Sequence, residues 1–167
     1  GGWGIQAACA GATQVTCVDS SAGAIDSVHH NAKINGLDNI ETIEGDAFDA
    51  LKALCDEKEK FDIVVLDPPA LIPRRRDQKA GEEAYARLNQ LGLRLLGRDG
   101  LLVSASCSMH LSQEKLTDII RGSGRKIDRF VQLLEQGHQA PDHPVVPGIP
   151  ETDYIKSCFV RSLTGFL

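Results

Sequence analysis

The sequence lacks long apolar runs, paired cysteines and a recognisable export signal. No segment approaches the ~20 consecutive apolar residues of a membrane-spanning helix, and no basic stretch precedes an apolar one as in a secretory signal. The five cysteines are scattered, odd in number and without a Cys-x-x-Cys pair, which argues against a disulfide framework and a cysteine zinc site. We therefore expect a cytoplasmic protein with no metal and no membrane partner.

An excess of basic charge is also lacking, since the formal net charge is −5. A domain that binds nucleic acid through bulk electrostatics is usually basic. One local basic run is present, at Arg74, Arg75 and Arg76. This run could contact phosphates, and a merely solvated loop is equally compatible with it. If the substrate is RNA, this run or a separate basic module must supply the phosphate contacts.

Strand and helix patterns alternate along the 167 residues. Strands are expected at 15–18, 40–43, 61–66, 101–106, 127–134 and 154–163, with helices at 3–10, 20–35, 48–57, 82–96 and 112–121. This alternation predicts an α/β fold with a Rossmann-like, doubly wound and mostly parallel sheet. The last two strands lack a helix between them, which predicts a C-terminal antiparallel hairpin. The continuous apolar run at 61–66 indicates a central strand buried on both faces.

The chain opens on Gly1-Gly2-Trp3-Gly4, which is typical of a glycine-rich loop that follows a strand. We interpret residues 1–167 as one partial domain of a longer chain, with its first strand absent. Such a fragment is expected to have weak or no activity by itself.

Polar residues follow the predicted strands at their carboxyl ends, where open α/β sheets bind ligands. Gly1 and Gly2, before a helix, would let the backbone approach an anionic group closely. Asp19 could accept the hydroxyls of a ribose, and Asp46 the amino group of an adenine. Two glycines before a helix are common, however, and either aspartate could instead be an ordinary helix N-cap.

Asp67-Pro68-Pro69 is a more specific pattern, because it follows the most apolar strand. Two prolines stiffen the backbone and remove donors, which leaves carbonyls free to accept hydrogen bonds from the amino group of a base. A purely structural turn is the alternative.

Cys107 stands at the end of a predicted strand, where a ligand is expected, and could be a thiolate nucleophile or a small buried hydrophobe. The other cysteines fall inside predicted elements, and core packing is expected for all four: Cys9, Cys17, Cys55 and Cys158. Asp142 and His143, in the proline-rich connection 137–150, are candidate proton-abstracting bases, with a structural turn equally open.

The order of GGWG, VTCVDSS, EGDAF, FDIVVLDPPA and the late SCS resembles class I S-adenosylmethionine-dependent methyltransferases. The similarity is closest to the large-subunit ribosomal RNA methyltransferase I family, which makes 5-methylcytosine in 23S ribosomal RNA. It extends to QAPDHPV and YIKSCFVRSL. The resemblance implies S-adenosyl-L-methionine as cofactor, ribosomal RNA as partner and a role in rRNA processing. The family's N-terminal PUA-type RNA-binding region is absent from this chain, and a homodimer is left open.

The resemblance places the glycines at the methionine part of the cofactor, Asp19 at its ribose and Asp46, with Ala47 and Phe48, around its adenine. The expected cofactor-binding residues are therefore Gly1, Gly2, Asp19, Ser20, Asp46, Ala47 and Asp67. The expected substrate-binding residues are Pro68, Pro69, Arg74, Arg75, Arg76 and His143.

The acceptor atom depends on two further features. Amino-methylating enzymes with a similar motif usually place an aromatic residue after the prolines, whereas Ala70 follows here. The resemblance makes Cys107 the nucleophile and places Asp67 beside the transferred methyl, so that both are expected to be catalytic residues. Asp67 could instead hold the cytosine at N3 or N4. The alternatives are methylation of a base nitrogen or a small molecule, and a non-catalytic nucleotide-binding module.

Overall fold

The computed structural model describes residues 1–164, which fall into two compact units, Gly1–Glu57 and the residues from Lys58 onward. The elements of the first unit are α1 (Gly2–Cys9), β1 (Val15–Asp19), α2 (Ala22–Ile34), β2 (Ile40–Glu44) and α3 (Ala47–Asp56). Those of the second unit are β3 (Phe61–Leu66), a 3-10 helix (Arg75–Asp77), α4 (Gln78–Leu95), β4 (Leu96–Ser106), α5 (Gln113–Arg125), β5 (Arg129–His138), a 3-10 helix (Pro150–Thr152) and β6 (Lys156–Thr164). The assignment of 1–167 to one partial methyltransferase domain stays a prediction.

The first unit is a pair of parallel strands with helices packed on it. β1 and β2 pair in register from Val15 with Ile40 to Asp19 with Glu44. Helix α2 buries Ile25, Val28 and Ala32, which recur at helical spacing and therefore share one face. The parallel register brings the carboxyl ends of both strands to the same edge of this sheet.

The second unit contains a four-stranded sheet in the order β3-β4-β6-β5. β3 and β4 are parallel, whereas β6 is antiparallel to both of its neighbours. The predicted α/β class and the C-terminal antiparallel hairpin are confirmed. The sheet is mixed, with the predicted parallel pairing between β3 and β4.

The core of the second unit lies between its sheet and the two long helices. Completely or almost completely buried side chains come from α4, β4 and α5: Tyr85, Leu93, Leu95, Leu102, Leu116 and Ile120. Each large apolar side chain removed from water contributes about 1.5–3 kcal/mol, as an upper bound. This packing fixes the end of β4, where Cys107 follows.

Two expectations about burial were wrong. Strand β3 is not buried on both faces. Helix α4 packs on the face of Val64 and Leu66, whereas Ile63 lies on the opposite face and is 57% exposed. The strand is also at the edge of its sheet, because it pairs with β4 alone among the described strands. Cys9 is exposed rather than part of the core, because α1 turns Ala8 inward. Strand β4 also begins earlier than expected, at Leu96. Its extra residues are accommodated by a shift in register between Phe61 and Ile63 of β3.

Candidate functional site

The ends of β1 and β2 are joined through the backbone, since the amide of Gly45 donates to the carbonyl oxygen of Asp19 at 3.0 Å. The Asp19 carboxylate accepts from the amide of Ser21 at 2.9 Å. The N-cap of α2 is Ser21, whose Oγ accepts from the amide of Ala24 at 3.3 Å. Asp19 therefore orders the turn after β1 without capping the helix.

Asp46 has the capping role that its sequence position allowed. Its Oδ1 accepts from the amides of Phe48 at 2.8 Å and Asp49 at 3.3 Å, at the start of α3. Asp46 and the neighbouring Ala47 are exposed, as is Ser20 after β1. The predicted cofactor-binding residues Asp19, Ser20, Asp46 and Ala47 thus lie at the carboxyl ends of two paired strands.

The two glycines at the start of α1 have different surroundings. Gly1 is the N-cap of the helix, and a Cβ atom there would overlap the side chain of Val28. A Cβ atom on Gly2 would meet nothing within 4 Å. Gly1 is therefore required for packing, whereas open space lies beside Gly2 at a helix N-terminus, an environment that favours anionic groups.

Cys107 follows the last residue of β4, and Pro68 lies two residues beyond the end of β3. Because these strands are parallel neighbours, the two segments emerge at the same edge of the sheet. The thiol of Cys107 is half-buried, and its Sγ lies 4.0 Å from the carbonyl oxygen of Pro68. The second unit therefore brings the Asp67-Pro68-Pro69 motif and the candidate nucleophile together.

A buried hydroxyl network holds both residues that flank Cys107. The Tyr85 hydroxyl lies 2.8 Å from the Oγ of Ser106 and 2.9 Å from the Oγ of Ser108. The amide of Ser108 donates to Ser106 Oγ at 3.0 Å, and the amide of Ile72 donates to Ser108 Oγ at 3.1 Å. These hydroxyls are completely or almost completely buried, so the backbone on either side of Cys107 is rigidly placed.

Lys156 is the one buried lysine among the described residues, with only 8% of its surface exposed. It begins β6 opposite Ser106, and its Nζ donates to the carbonyl oxygen of Ser108 at 2.7 Å. Burial lowers the pKa of Lys156, while the negative charges of Asp153 and an ionised Cys107 act in the opposite direction. A cation is therefore held beside the loop that carries the candidate nucleophile.

The connection between β5 and β6 is organised by Gln139, which is buried. Its side-chain oxygen accepts from the amides of Tyr154 at 2.7 Å and Ile155 at 3.2 Å, and its Nε2 donates to the carbonyl oxygen of His143 at 2.7 Å. His143 itself is exposed, with Nδ1 3.3 Å from an oxygen of Asp142. Its structural role is thus a backbone contact, and a role as base stays a prediction.

The basic run is exposed to solvent. Arg75 and Arg76 lie in a short 3-10 helix that ends at Asp77, and Arg76 pairs with Asp77 at 3.8 Å. Arg74 is exposed just before this helix. The arrangement leaves guanidinium groups available for phosphates, and such a contact stays a prediction.

The remaining cysteines differ in their environment. Burial raises the pKa of both Cys17 and Cys158. The core position predicted for Cys158 is confirmed, since it is completely buried and contacts Gln113 and Thr117. Cys17 and Cys55 are half-buried.

Sequence reasoning missed the residues that support the loop of Cys107, which are Tyr85, Ser106, Ser108 and Lys156. It also missed Gln139, which organises the connection between β5 and β6. One signal for Lys156 was present in the sequence, because it alternates with Cys158 and Val160 in the predicted last strand and so shares their face. The structure buries that face at Lys156, Cys158, Val160 and Ser162. A lysine in the inward-facing set of a strand needs an acceptor or a counter-charge. No comparable local signal marks Tyr85, since its partners lie more than 20 residues away in the sequence.

Two further features are missing from residues 1–164. Among them, no group of three or more His, Cys, Asp or Glu side chains could hold a metal ion. In the same part of the chain, no helix has both the length and the apolar character needed to cross a membrane.

The fold defined by these elements is that of S-adenosylmethionine-dependent methyltransferases. The crystal structure of SMU.776 complexed with SAH, a protein described as a methyltransferase, superposes with a TM-score of 0.80 at 22% identity, covering 94% of this chain and 41% of that one. A methyltransferase homolog from Pyrococcus horikoshii superposes with a TM-score of 0.64 at 20% identity, covering 89% of this chain and 53% of that one.

A family model of the sequence shows to which family the chain belongs. The model described as conserved hypothetical protein 95 matches residues 1–117, and the chain belongs to this family. The ribosomal RNA large subunit methyltransferase I of Klebsiella pneumoniae is 37% identical over 163 residues. That match covers 96% of this chain and 41% of the relative, so the chain spans about two fifths of the curated relative's length. The resemblance to the methyltransferase I family is confirmed.

Proposed function

We propose that this chain is the methyl-transferring domain of an S-adenosylmethionine-dependent ribosomal RNA methyltransferase that acts on C5 of a cytosine in 23S rRNA. Cys107 is the nucleophile. The observation that carries the proposal is the contact between the Cys107 thiol and the carbonyl oxygen of Pro68, at 4.0 Å, in a rigidly held loop. The 37% identical relative, named as a ribosomal RNA large subunit methyltransferase, supports RNA as the substrate class.

The chemistry needs a thiolate because C5 of cytosine is a poor nucleophile. The Cys107 thiolate adds to C6 of the base, forming a carbon–sulfur bond and making C5 electron-rich. After C5 has taken the methyl group, a base removes the C5 proton. The electron pair of that carbon–hydrogen bond restores the C5–C6 double bond, and the thiolate leaves. Cys107 is then regenerated unchanged.

The residues of the first unit fit the proposed cofactor. S-adenosylmethionine, when bound, supplies an electrophilic methyl group. The carboxylates of Asp19 and Asp46 are acceptors suited to ribose hydroxyls and an adenine amino group. The open space beside Gly2, at the start of α1, suits a carboxylate. In this proposal, Gly1, Ser20 and Ala47 complete the binding surface through their backbone.

RNA binding is assigned to the second unit. Asp67 holds the cytosine at N3 or N4, and Pro68 and Pro69 present carbonyls to its amino group. The exposed guanidinium groups of the basic run contact phosphates, which makes binding salt-dependent. The target cytosine must be single-stranded or flipped, because the thiol has to reach C6 of an unstacked base. Asp142 and His143 remain the candidates for the proton-abstracting base.

A trapped covalent complex tests the proposal. The full-length protein, of which this chain is proposed to be one domain, is incubated with S-adenosylmethionine and 23S rRNA that contains 5-fluorocytidine, and a protein–RNA adduct is sought on a denaturing gel. Fluorine at C5 cannot leave as a proton, so a C5 mechanism stalls with the thioether bond intact. We expect an adduct with the wild-type protein and none with Cys107→Ala.

The matched control is Cys9→Ala, because Cys9 is exposed in the first unit and has no role in the proposed mechanism. This variant should form the adduct as well as the wild type. Methyl transfer to ordinary RNA by Cys107→Ala at the wild-type rate, with no adduct in either protein, would refute the cysteine mechanism. Methylation of a base nitrogen would then become the leading function.

A further inference from the structure

We propose that Lys156 is a positioning residue for Cys107: its ammonium group fixes the loop that carries the thiol and stabilises the thiolate electrostatically. The inference rests on the proposed function for its meaning in catalysis. It concerns a buried cation that the methyl-transfer chemistry described above leaves unused.

The geometry links Lys156 to both neighbours of Cys107. Lys156 is paired with Ser106 in the antiparallel register of β4 and β6, so the two side chains share one face of the sheet. Its Nζ then donates to the carbonyl oxygen of Ser108 at 2.7 Å. Lys156 therefore lies opposite Ser106, the residue before Cys107, and is bonded to Ser108, the residue after it.

Burial makes this arrangement costly unless the charge is compensated. An ammonium group taken out of water loses solvation, and one carbonyl acceptor replaces only part of it. Burial lowers the pKa of Lys156, whereas the charges of Asp153 and of an ionised Cys107 both favour its protonated form. The attraction is mutual, so the ammonium group that is stabilised by the thiolate also stabilises the thiolate.

Other titratable groups face the same region. His138 pairs with Lys156 from β5, and Tyr85 of α4 bonds to both serines. Asp67 precedes Pro68, whose carbonyl oxygen contacts the thiol. Asp153 is exposed and acts on Lys156 through its charge. Of these groups, Lys156 is the cation that is both buried and bonded to the Cys107 loop.

The test measures thiol reactivity directly, without methyl transfer. Wild-type protein and the Lys156→Met variant are treated with iodoacetamide at neutral pH, and alkylation of Cys107 is followed in the tryptic peptide 99–115, which both proteins share. The exposed Cys9 is the internal reference. We expect alkylation of Cys107 to slow about tenfold in Lys156→Met, because the thiolate is the reacting form and the variant removes the cation that stabilises it.

Three variants separate charge from structure. Lys156→Arg keeps the charge and should retain most of the reactivity, and Lys126→Met removes an exposed lysine at the end of α5 and should change nothing. A pH profile should show half-maximal alkylation of Cys107 at higher pH in Lys156→Met than in wild type. If Lys156→Met does not fold, Lys156→Gln decides, because its amide can still donate a hydrogen bond but carries no charge, and alkylation should again slow.

The outcomes distinguish this inference from the proposed function. Slower alkylation in Lys156→Met, restored in Lys156→Arg, supports the inference. This holds even if the wild-type protein forms no fluorocytidine adduct, because a missing adduct would refute only the proposed function. Equal alkylation rates and pH profiles in wild type and Lys156→Met overturn the inference, whether or not the adduct forms. Unchanged alkylation in Lys156→Gln overturns it where Lys156→Met is unfolded.

Discussion

Replacing Tyr85 with Phe removes one hydroxyl from the buried network around Cys107 and leaves the ring in place. The hydroxyl makes contacts of 2.8 Å to Ser106 and 2.9 Å to Ser108. Each buried hydrogen bond contributes about 0.5–1.5 kcal/mol net, so the loss of both costs about 1–3 kcal/mol. Both serine oxygens keep an amide donor, from Ser108 and Ile72, which places the expected cost near the middle of this range, about 2 kcal/mol.

Urea denaturation measures this cost. Trp3 lies in the first unit, so its fluorescence does not report directly on the second unit, which contains Tyr85. Unfolding should therefore be followed by circular dichroism. With an m-value of about 2 kcal/mol per M, the expected loss lowers the midpoint by about 1 M without changing the slope. Tyr154→Phe is the matched control, since the Tyr154 hydroxyl makes no hydrogen bond within residues 1–164.

The same variant has a functional readout. If the network holds the Cys107 loop, Tyr85→Phe should lower the rate of fluorocytidine adduct formation even in buffer where the variant is fully folded. A midpoint equal to that of the wild type, with Tyr154→Phe behaving identically, would refute the reasoning that these hydroxyls stabilise the loop. A lowered midpoint with an unchanged adduct rate would limit the network to a role in folding.

Two other predictions concern the remaining parts of the structure. Asp46→Ala should lower the free energy of unfolding of the first unit by about 1 kcal/mol, followed by Trp3 fluorescence, because it removes the N-cap of α3. Asp46→Asn keeps the capping oxygen and should retain most of the free energy of unfolding that Asp46→Ala loses. Equal losses of stability in Asp46→Ala and Asp46→Asn would contradict the capping role. Burial raises the pKa of Cys158, so at pH 8 its alkylation should be at least about tenfold slower than that of Cys9. Above about pH 8.5 the Cys158 thiol ionises in the unfolded state before it does in the folded state, so the free energy of unfolding falls as pH rises. Cys158→Ala should weaken this pH dependence of stability. An unchanged pH dependence in the variant would contradict the prediction.

The sequence by itself determined the order of elements and the positions of the motifs. Apolar periodicity marks α2, and a β-branched run marks β1, because helices and strands repeat their side-chain directions over a few residues. The same local rules placed Asp19, Asp46, Asp67 and Cys107 at strand ends. The resemblance to a methyltransferase family was visible at that level, because its motifs are short and continuous.

Only the tertiary structure decided which residues support Cys107. Tyr85 meets Ser106 across 21 positions of the chain, and Lys156 meets Ser108 across 48. Such contacts depend on strand order and register, which no local pattern specifies. The exposure of Ile63 has the same origin, because an apolar run predicts a strand, but which helices cover each of its faces is set by the tertiary structure. A buried lysine beside a cysteine is therefore a property of the fold, produced when antiparallel pairing brings the start of β6 to the end of β4.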